Sequence, residues 1–262
     1  MYKNIITEVD EGVGIITLNR PDRHNSFDDV TIQELVRAIG VMGRDDAVRV
    51  VVLSSAGKNF CAGADLGWMR DAANLSAEEN QRDARVMAEM LKRIATIPKP
   101  TVARVQGIAF GGGVGLVAAC DIAIATFEAQ FSLSEVKLGL IPAVISPHVI
   151  GAISERHARR YMLTGERFSA AEAYRIGLIH EMVADEAALD DAVWQIVTAL
   201  LQNGPHALAE CKELIRAVVH RPPDAELMDD TARRIARVRV SDEGKEGIAA
   251  FLDKRPPGWI SG

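Results

Sequence analysis

Apolar and polar positions divide the chain into two regimes. Between residues 4 and 125, short β-like runs alternate with stretches of helical periodicity; beyond residue 179 only helical periodicity remains. Residues 4–9 and 13–19 are two β-like runs joined by Asp10-Glu11-Gly12, a hairpin signal. A loop over 21–26 leads to a helix over 28–42, in which Val30, Leu35, Val36, Ile39 and Met42 share a face, and Ser26 followed by Asp29 reads as its capping signal. Residues 48–54 form a buried strand. Ser76-Ala-Glu-Glu79 is a capping box, after which Val86, Met87, Met90, Leu91 and Ile94 recur at helical spacing until Ile97-Pro98 ends the helix. The methionines on this face are assigned to the core. Residues 101–105 and 122–125 add strands, with a compact apolar helix over 114–120 between them. This alternation implies an α/β core. In the second regime, residues 186–201, 205–219, 225–240 and 243–251 read as helices with no strand signal between them. An amphipathic tail with so little of its own to bury should pack on another surface.

Length and composition narrow the function classes. With 262 residues there is chain enough for one large or two modest domains with a real core. A formal charge of -6 opposes polyanion binding, so nucleic acid is not an expected partner. Cys61, Cys120 and Cys211 are far apart and odd in number, which fits reduced thiols in a cytoplasmic protein and neither a disulfide framework nor a metal spacing. The N-terminal residues lack the apolar core of a signal peptide, and no apolar run reaches the roughly 18 residues of a membrane span.

Three stretches carry candidate chemistry. In the first, the apolar run 100–105 leads to Gly111, Gly112 and Gly113 and then to the buried helix, so the glycines sit at a helix N-terminus. Free N–H groups and the positive end of the helix dipole there suit an oxyanion or a phosphate; three glycines are equally a place where two backbones pack closely. A dinucleotide fingerprint fails because the third glycine position falls on Leu116, and no P-loop lysine follows. Neither G-x-S-x-G nor H-E-x-x-H occurs, and the six histidines are scattered. The second stretch, Asn59-Phe-Cys-Ala-Gly-Ala-Asp-Leu66, is by itself a tight turn after a strand. The third, Phe131-Ser-Leu-Ser-Glu135-Val-Lys-Leu-Gly-Leu-Ile-Pro142, sets Glu135 among apolar residues, which would raise its pKa toward neutrality; a surface pair with Lys137 is the local alternative.

In this order, with Asn19-Arg20-Pro21 near the start and Phe251-Leu-Asp-Lys254-Arg255 near the end, these stretches resemble the crotonase superfamily, the enoyl-CoA hydratase/isomerase fold. The resemblance implies a spiral of ββα units over residues 1–200, holding the active site. It also implies a helical region over 201–262 that builds a homotrimer, commonly doubled to a hexamer, and completes the CoA site. It casts the N–H groups of Ala64 and Gly112 as the oxyanion hole for a thioester and Glu135 as the acid/base. Arg23, Ser26, Ala62, Asp65, Leu66, Gly111, Pro142, Phe251 and Lys254 are carried to the substrate and CoA side, with Asp65 structural. No cofactor beyond the substrate's own coenzyme A, and no metal, is implied.

Two departures stand out. Where the usual hydratases carry a second glutamate, this chain has Gly115, and where many have a Pro-Gly-Ala-Gly-Gly-Thr run it has Pro142-Ala-Val-Ile-Ser-Pro147. Both features look like bacterial hydratases of branched, methylglutaconyl-type CoA substrates. The implied activity is hydration of an α,β-unsaturated acyl-CoA. A Δ3,Δ2-enoyl-CoA isomerase using one glutamate, or a non-catalytic acyl-CoA-binding or scaffold protein, are the alternatives.

Overall fold

A computed structural model describes residues 2–260. The hairpin forms as expected: β1 (Ile5–Asp10) pairs antiparallel with β2 (Val13–Leu18). α1 (Asp29–Arg44) then buries Ile32, Leu35, Ala38, Ile39 and Met42. Its cap corrects the expectation for Ser26. Asp28 is the N-cap, its carboxylate accepting from Thr31 N–H, whereas Ser26 is buried in the preceding turn and its carbonyl accepts from Arg20. An anionic cap also meets the helix dipole, and such caps stabilise by about 1 kcal/mol.

β3 (Val50–Ser55) is buried along its whole length. α2 (Leu66–Ala72) is short, and α3 (Ala77–Thr96) opens on the Ser76/Glu79 capping box and stops at Ile97. Next come β4 (Thr101–Val105), β5 (Ile108–Phe110), α4 (Gly112–Ala119), β6 (Ile122–Thr126) and β7 (Gln130–Ser132). A single 3-10 turn, Glu135–Leu138, leads to α5 (Ser146–Thr164). β8 (Arg167–Ser169), α6 (Ala170–Arg175) and β9 (Glu181–Val183) complete the mixed region. The tail is α7 (Glu186–Leu201), α8 (Pro205–Val218), α9 (Ala225–Val240) and α10 (Asp242–Leu252), each within one residue of its expected bounds.

Two sheets result. The larger runs β1-β2-β3-β4-β6-β9 and is parallel after the first pair; the smaller runs β5-β7-β8. Successive turns of the chain place one strand in the large sheet, one in the small sheet and then a helix: β4, β5, α4, followed by β6, β7, α5. This is the expected ββα spiral. The large sheet is covered on both faces, as parallel sheets require. One face packs on α1, α3 and α4 through Leu35, Leu91 and Leu116, while Val50, Val52, Val102 and Ile124 of the other meet Leu189, Val193 and Val197 of α7. The first helix of the tail is therefore part of the core.

Further along, Lys212 of α8 donates to Asp121 Oδ2 at 2.7 Å and to the Lys99 carbonyl at 2.9 Å, which fastens the tail to the end of β4. No helix among the described residues is long and apolar enough to cross a membrane.

Arg20 ties the loops at the site together. Its guanidinium lies 3.2 Å from Asp28 and 3.1 Å from Asp65, the N-cap of α2, so one cation spans the starts of two helices. Burial alone would raise both carboxyls. The Thr31 N–H at Asp28, the Gly67 and Trp68 N–H groups at Asp65 and the Arg20 charge outweigh it and hold both below their usual 3.8. Arg20→Leu leaves two partly buried carboxylates without their cation and should cost about 2–3 kcal/mol at pH 7. Carboxylates with depressed folded pKa values contribute stability above the unfolded value and lose it as pH falls through the folded one. In urea unfolding the gap between variant and parent is therefore expected to narrow toward pH 3.

Candidate active site

Backbone register brings the three candidate stretches together. Cys61 bridges to Ala109, and Phe110 pairs with Ser132 through the β5–β7 ladder. Cys61 N–H donates to the Ile108 carbonyl at 3.0 Å, Phe110 N–H to Cys61 at 2.9 Å and Gly111 N–H to Ser132 at 2.8 Å. Past these bonds residues 62–66, 111–113 and 133–135 leave the small sheet as neighbouring loops. Sequence positions some 70 apart thereby face one pocket.

Two of the loops contribute backbone. The N–H groups of Ala64 and Gly112 donate to no acceptor among the described residues. Gly112 is the first residue of α4, where the helix has unpaired donors and its dipole is positive. Gly111, the residue before it, has φ 50 and ψ −117, and a Cβ there would lie 3.0 Å from Glu135 Oε1. Gly63 has φ 91, and a Cβ there would stand 2.8 Å from the Phe110 carbonyl and 3.5 Å from Gly112 N. Both positions need glycine: their backbone is left-handed, Gly111 leaves room for the Glu135 carboxyl, and Gly63 meets the backbone of Phe110 and Gly112. The contact sets the loop of Ala64 against the N-terminus of α4.

The third loop contributes a carboxyl. Glu135 begins the 3-10 turn with its Oε1 against Gly111, while its Oε2 is buried and has no hydrogen-bond partner. The local alternative of a pair with Lys137 is not realised: no ion pair joins them, and the Lys137 stem lies over Gly165 instead. Burial pushes the Glu135 carboxyl above its usual 4.5, against a smaller opposing effect of its own backbone N–H. A cleft of about 400 Å³ opens beside it, within the range of about 300–1,000 Å³ for small-molecule sites. Phe27, Trp68, Met87, Leu140, Val144 and Ile145 supply much of its apolar wall, and Glu135 is the one ionisable side chain in that wall among the described residues.

Ala62, Ala64, Leu66, Gly111, Gly112, Glu135 and Pro142 all border this cleft. Arg23, Ser26 and Asp65 lie on the flanking loops and not in its wall; Arg23 is largely exposed. Phe251 and Lys254 stand on and just past α10, again outside the wall, with Phe251 82% exposed. Met87 corrects the assignment of the α3 methionines to the core: Met90 is fully buried, but Met87 faces the cleft beside Gly112. Ile145 and Val144 belong to the site too, and their only sequence signal is the unusual run between Pro142 and Pro147.

A carboxyl whose folded pKa is raised favours the folded state most below its unfolded value, about 4.5, and loses that contribution as pH rises through the folded value. Glu135→Gln keeps the shape and cannot ionise. The variant should melt higher than the parent at pH 8 and no higher at pH 4, a difference that thermal unfolding at the two pH values measures.

Residues 8–262 match the enoyl-CoA hydratase/isomerase family. The crystal structure of an enoyl-CoA hydratase from Shewanella pealeana superposes with a TM-score of 0.96 at 45% identity, covering 98% of this chain and 96% of that one. The 1,2-epoxyphenylacetyl-CoA isomerase of Escherichia coli K12 is 34% identical over 260 residues, 98% of each chain. The crotonyl-CoA hydratase of Syntrophomonas wolfei is 32% identical over 265 residues, 99% of each. This chain belongs to the crotonase superfamily and is an enzyme of the enoyl-CoA hydratase/isomerase family.

Proposed function

We propose that the protein is a hydro-lyase that adds water to an α,β-unsaturated acyl-CoA with Glu135 as its sole side-chain acid and base. The observation that carries this reading is a buried, unpartnered carboxyl oxygen in the same cleft as two unpaired backbone N–H groups. The thioester carbonyl accepts from Ala64 and Gly112 N–H. Glu135, as carboxylate, takes a proton from water as its oxygen bonds to the β-carbon, and the π-electrons move through the α-carbon to the thioester oxygen. The two donors stabilise that developing enolate, each by about 3–4 kcal/mol. Glu135 then returns the proton to the α-carbon, so that water is added and the enzyme restored. A raised pKa suits a group that must give the proton back.

A second reading has its own support. Among the described residues the cleft wall holds no other carboxylate, and isomerisation of a 3-enoyl-CoA to the 2-enoyl-CoA needs only one base moving one proton between carbons. The finer substrate reading, a branched glutaconyl-CoA, rests on the likeness at Gly115 and residues 142–147. Among the described residues the wall contains no Lys, Arg or His, so a distal carboxylate would have to reach solvent or a neighbouring subunit. Arg23, Ser26, Ala62, Asp65 and Leu66 lie on the side assigned to coenzyme A, which enters as part of the substrate. Phe251 and Lys254 complete that site at a subunit boundary. We place the enzyme in the cytoplasm.

Initial rates with crotonyl-CoA, a 3-enoyl-CoA and 3-methylglutaconyl-CoA separate these readings. Hydration of the carboxylated branched substrate is expected to exceed that of crotonyl-CoA in kcat/KM. Glu135→Gln should lower turnover on the order of 10²–10⁴-fold while thioester binding persists. Efficient crotonyl-CoA hydration by the parent would remove the branched-substrate reading, and near-native turnover by the variant would remove Glu135 from its role.

The tail supports an assembly. Exposed Met228 and Ile235 border an apolar groove of about 610 Å³ between α8 and α9, and Ile215, Val240 and Ile248 are exposed on the same helices and α10. Surfaces of this kind mark contacts between chains. Light scattering should give a trimer or hexamer for the full chain, and no trimer for a chain ending at Asn203.

A further inference from the structure

We infer that Ile145 closes the acyl end of the cleft, and that it holds this position because residue 115 has no side chain. The inference rests on the reading that the cleft takes an acyl chain. Gly115 lies on the buried helix α4, and a Cβ built on it would stand 2.3 Å from Ile145 Cγ2 and 2.9 Å from Ile145 Cβ, with Leu91 Cδ1 next at 3.7 Å. Contacts that short are not accommodated by small shifts. The volume a side chain at 115 would need is therefore already filled by Ile145, which packs directly against the Gly115 backbone.

Ile145 is poorly placed to move aside. It is the residue at which α5 begins, its carbonyl accepting from His148 N–H at 3.1 Å and Val149 N–H at 3.0 Å. Its side chain is branched at Cβ, which leaves few rotamers. Only 2% of its surface is exposed although it belongs to the cleft wall, so it forms the floor and not the rim. A bulky residue in the cleft wall and a missing side chain on the helix behind it make a matched pair. Shortening Ile145 extends the cleft toward the bare backbone of Gly115 and Leu91. Three carbon atoms leave with Ile145→Ala, room for about two further methylenes of substrate, each about fourfold in affinity when buried.

The test is calorimetric binding of butyryl-, hexanoyl- and octanoyl-CoA to the parent and to Ile145→Ala. Saturated chains are not turned over, so the result does not depend on which reaction the enzyme performs. The octanoyl-to-butyryl affinity ratio is expected to rise about tenfold in the variant, with Ile145→Val intermediate and available if the alanine variant folds poorly. An unchanged ratio in either folded variant overturns the inference and leaves the proposed function standing. Failure of the parent and variants to bind any of the three overturns both. Thermal melts check the pairing without a ligand. Gly115→Ala should lower the melting temperature on the order of 5 °C in the parent and by less than half as much in the Ile145→Ala background. Equal losses in the two backgrounds would show that the residues are not in opposition.

Discussion

Lateral hydrogen bonding in the small sheet is the constraint on which the site depends. Three bonds, from Cys61, Phe110 and Gly111 N–H to carbonyls on the adjacent segments, align consecutive turns of the spiral so that each ends at the same edge. The unpaired N–H groups of Ala64 and Gly112 and the Glu135 carboxyl are then placed by backbone pairing and not by side-chain packing. A one-residue slip between β5 and β7 would carry the 3-10 turn of Glu135 along the strand by one residue and separate its carboxyl from Gly111. Gly63 makes this alignment possible by letting its loop touch Phe110 and Gly112 through bare backbone, and Gly111 leaves room for the Glu135 side chain.

Around that edge the polar groups are divided unequally. Asp28 and Asp65 have cations and N–H donors and stay ionised, whereas Glu135, one loop away, is given no partner for Oε2. An unsatisfied buried oxygen costs about 1–3 kcal/mol. The fold tolerates it because the large sheet is packed on both faces and its loops are pinned by Arg20. Stability is concentrated in the frame, and the Glu135 carboxyl is left under-solvated.

Much of this was legible in the sequence because periodicity and capping are local. The four tail helices, the Ser76/Glu79 box and the hairpin all followed from residues within a turn or two of one another. β5, β7, β8 and β9 escaped because three residues are too few to show alternation, and they exist only through their neighbours. Asp28 displaced Ser26 as the cap because Arg20 and Thr31 converge on it, which no spacing rule registers. Ala64, Gly112 and Glu135 were found through family resemblance and then drawn together by the fold. Met87 and Ile145 could not be told from core residues, since an apolar side chain reads the same whether it faces another side chain or an empty cleft.

The opposition between Gly115 and Ile145 also bears on how such an enzyme can change over time. Any first replacement at 115, whatever its chemistry, meets the Ile145 side chain packed against it before it can be of use, so a lineage that begins by altering that position enters a valley of poor folding. The passable order is the reverse: position 145 shrinks first, at the cost of a looser pocket, and only then does 115 become free to vary. Descent from this state toward one with a second polar group in the cleft is therefore contingent on an earlier, chemically silent substitution at the residue packed against it.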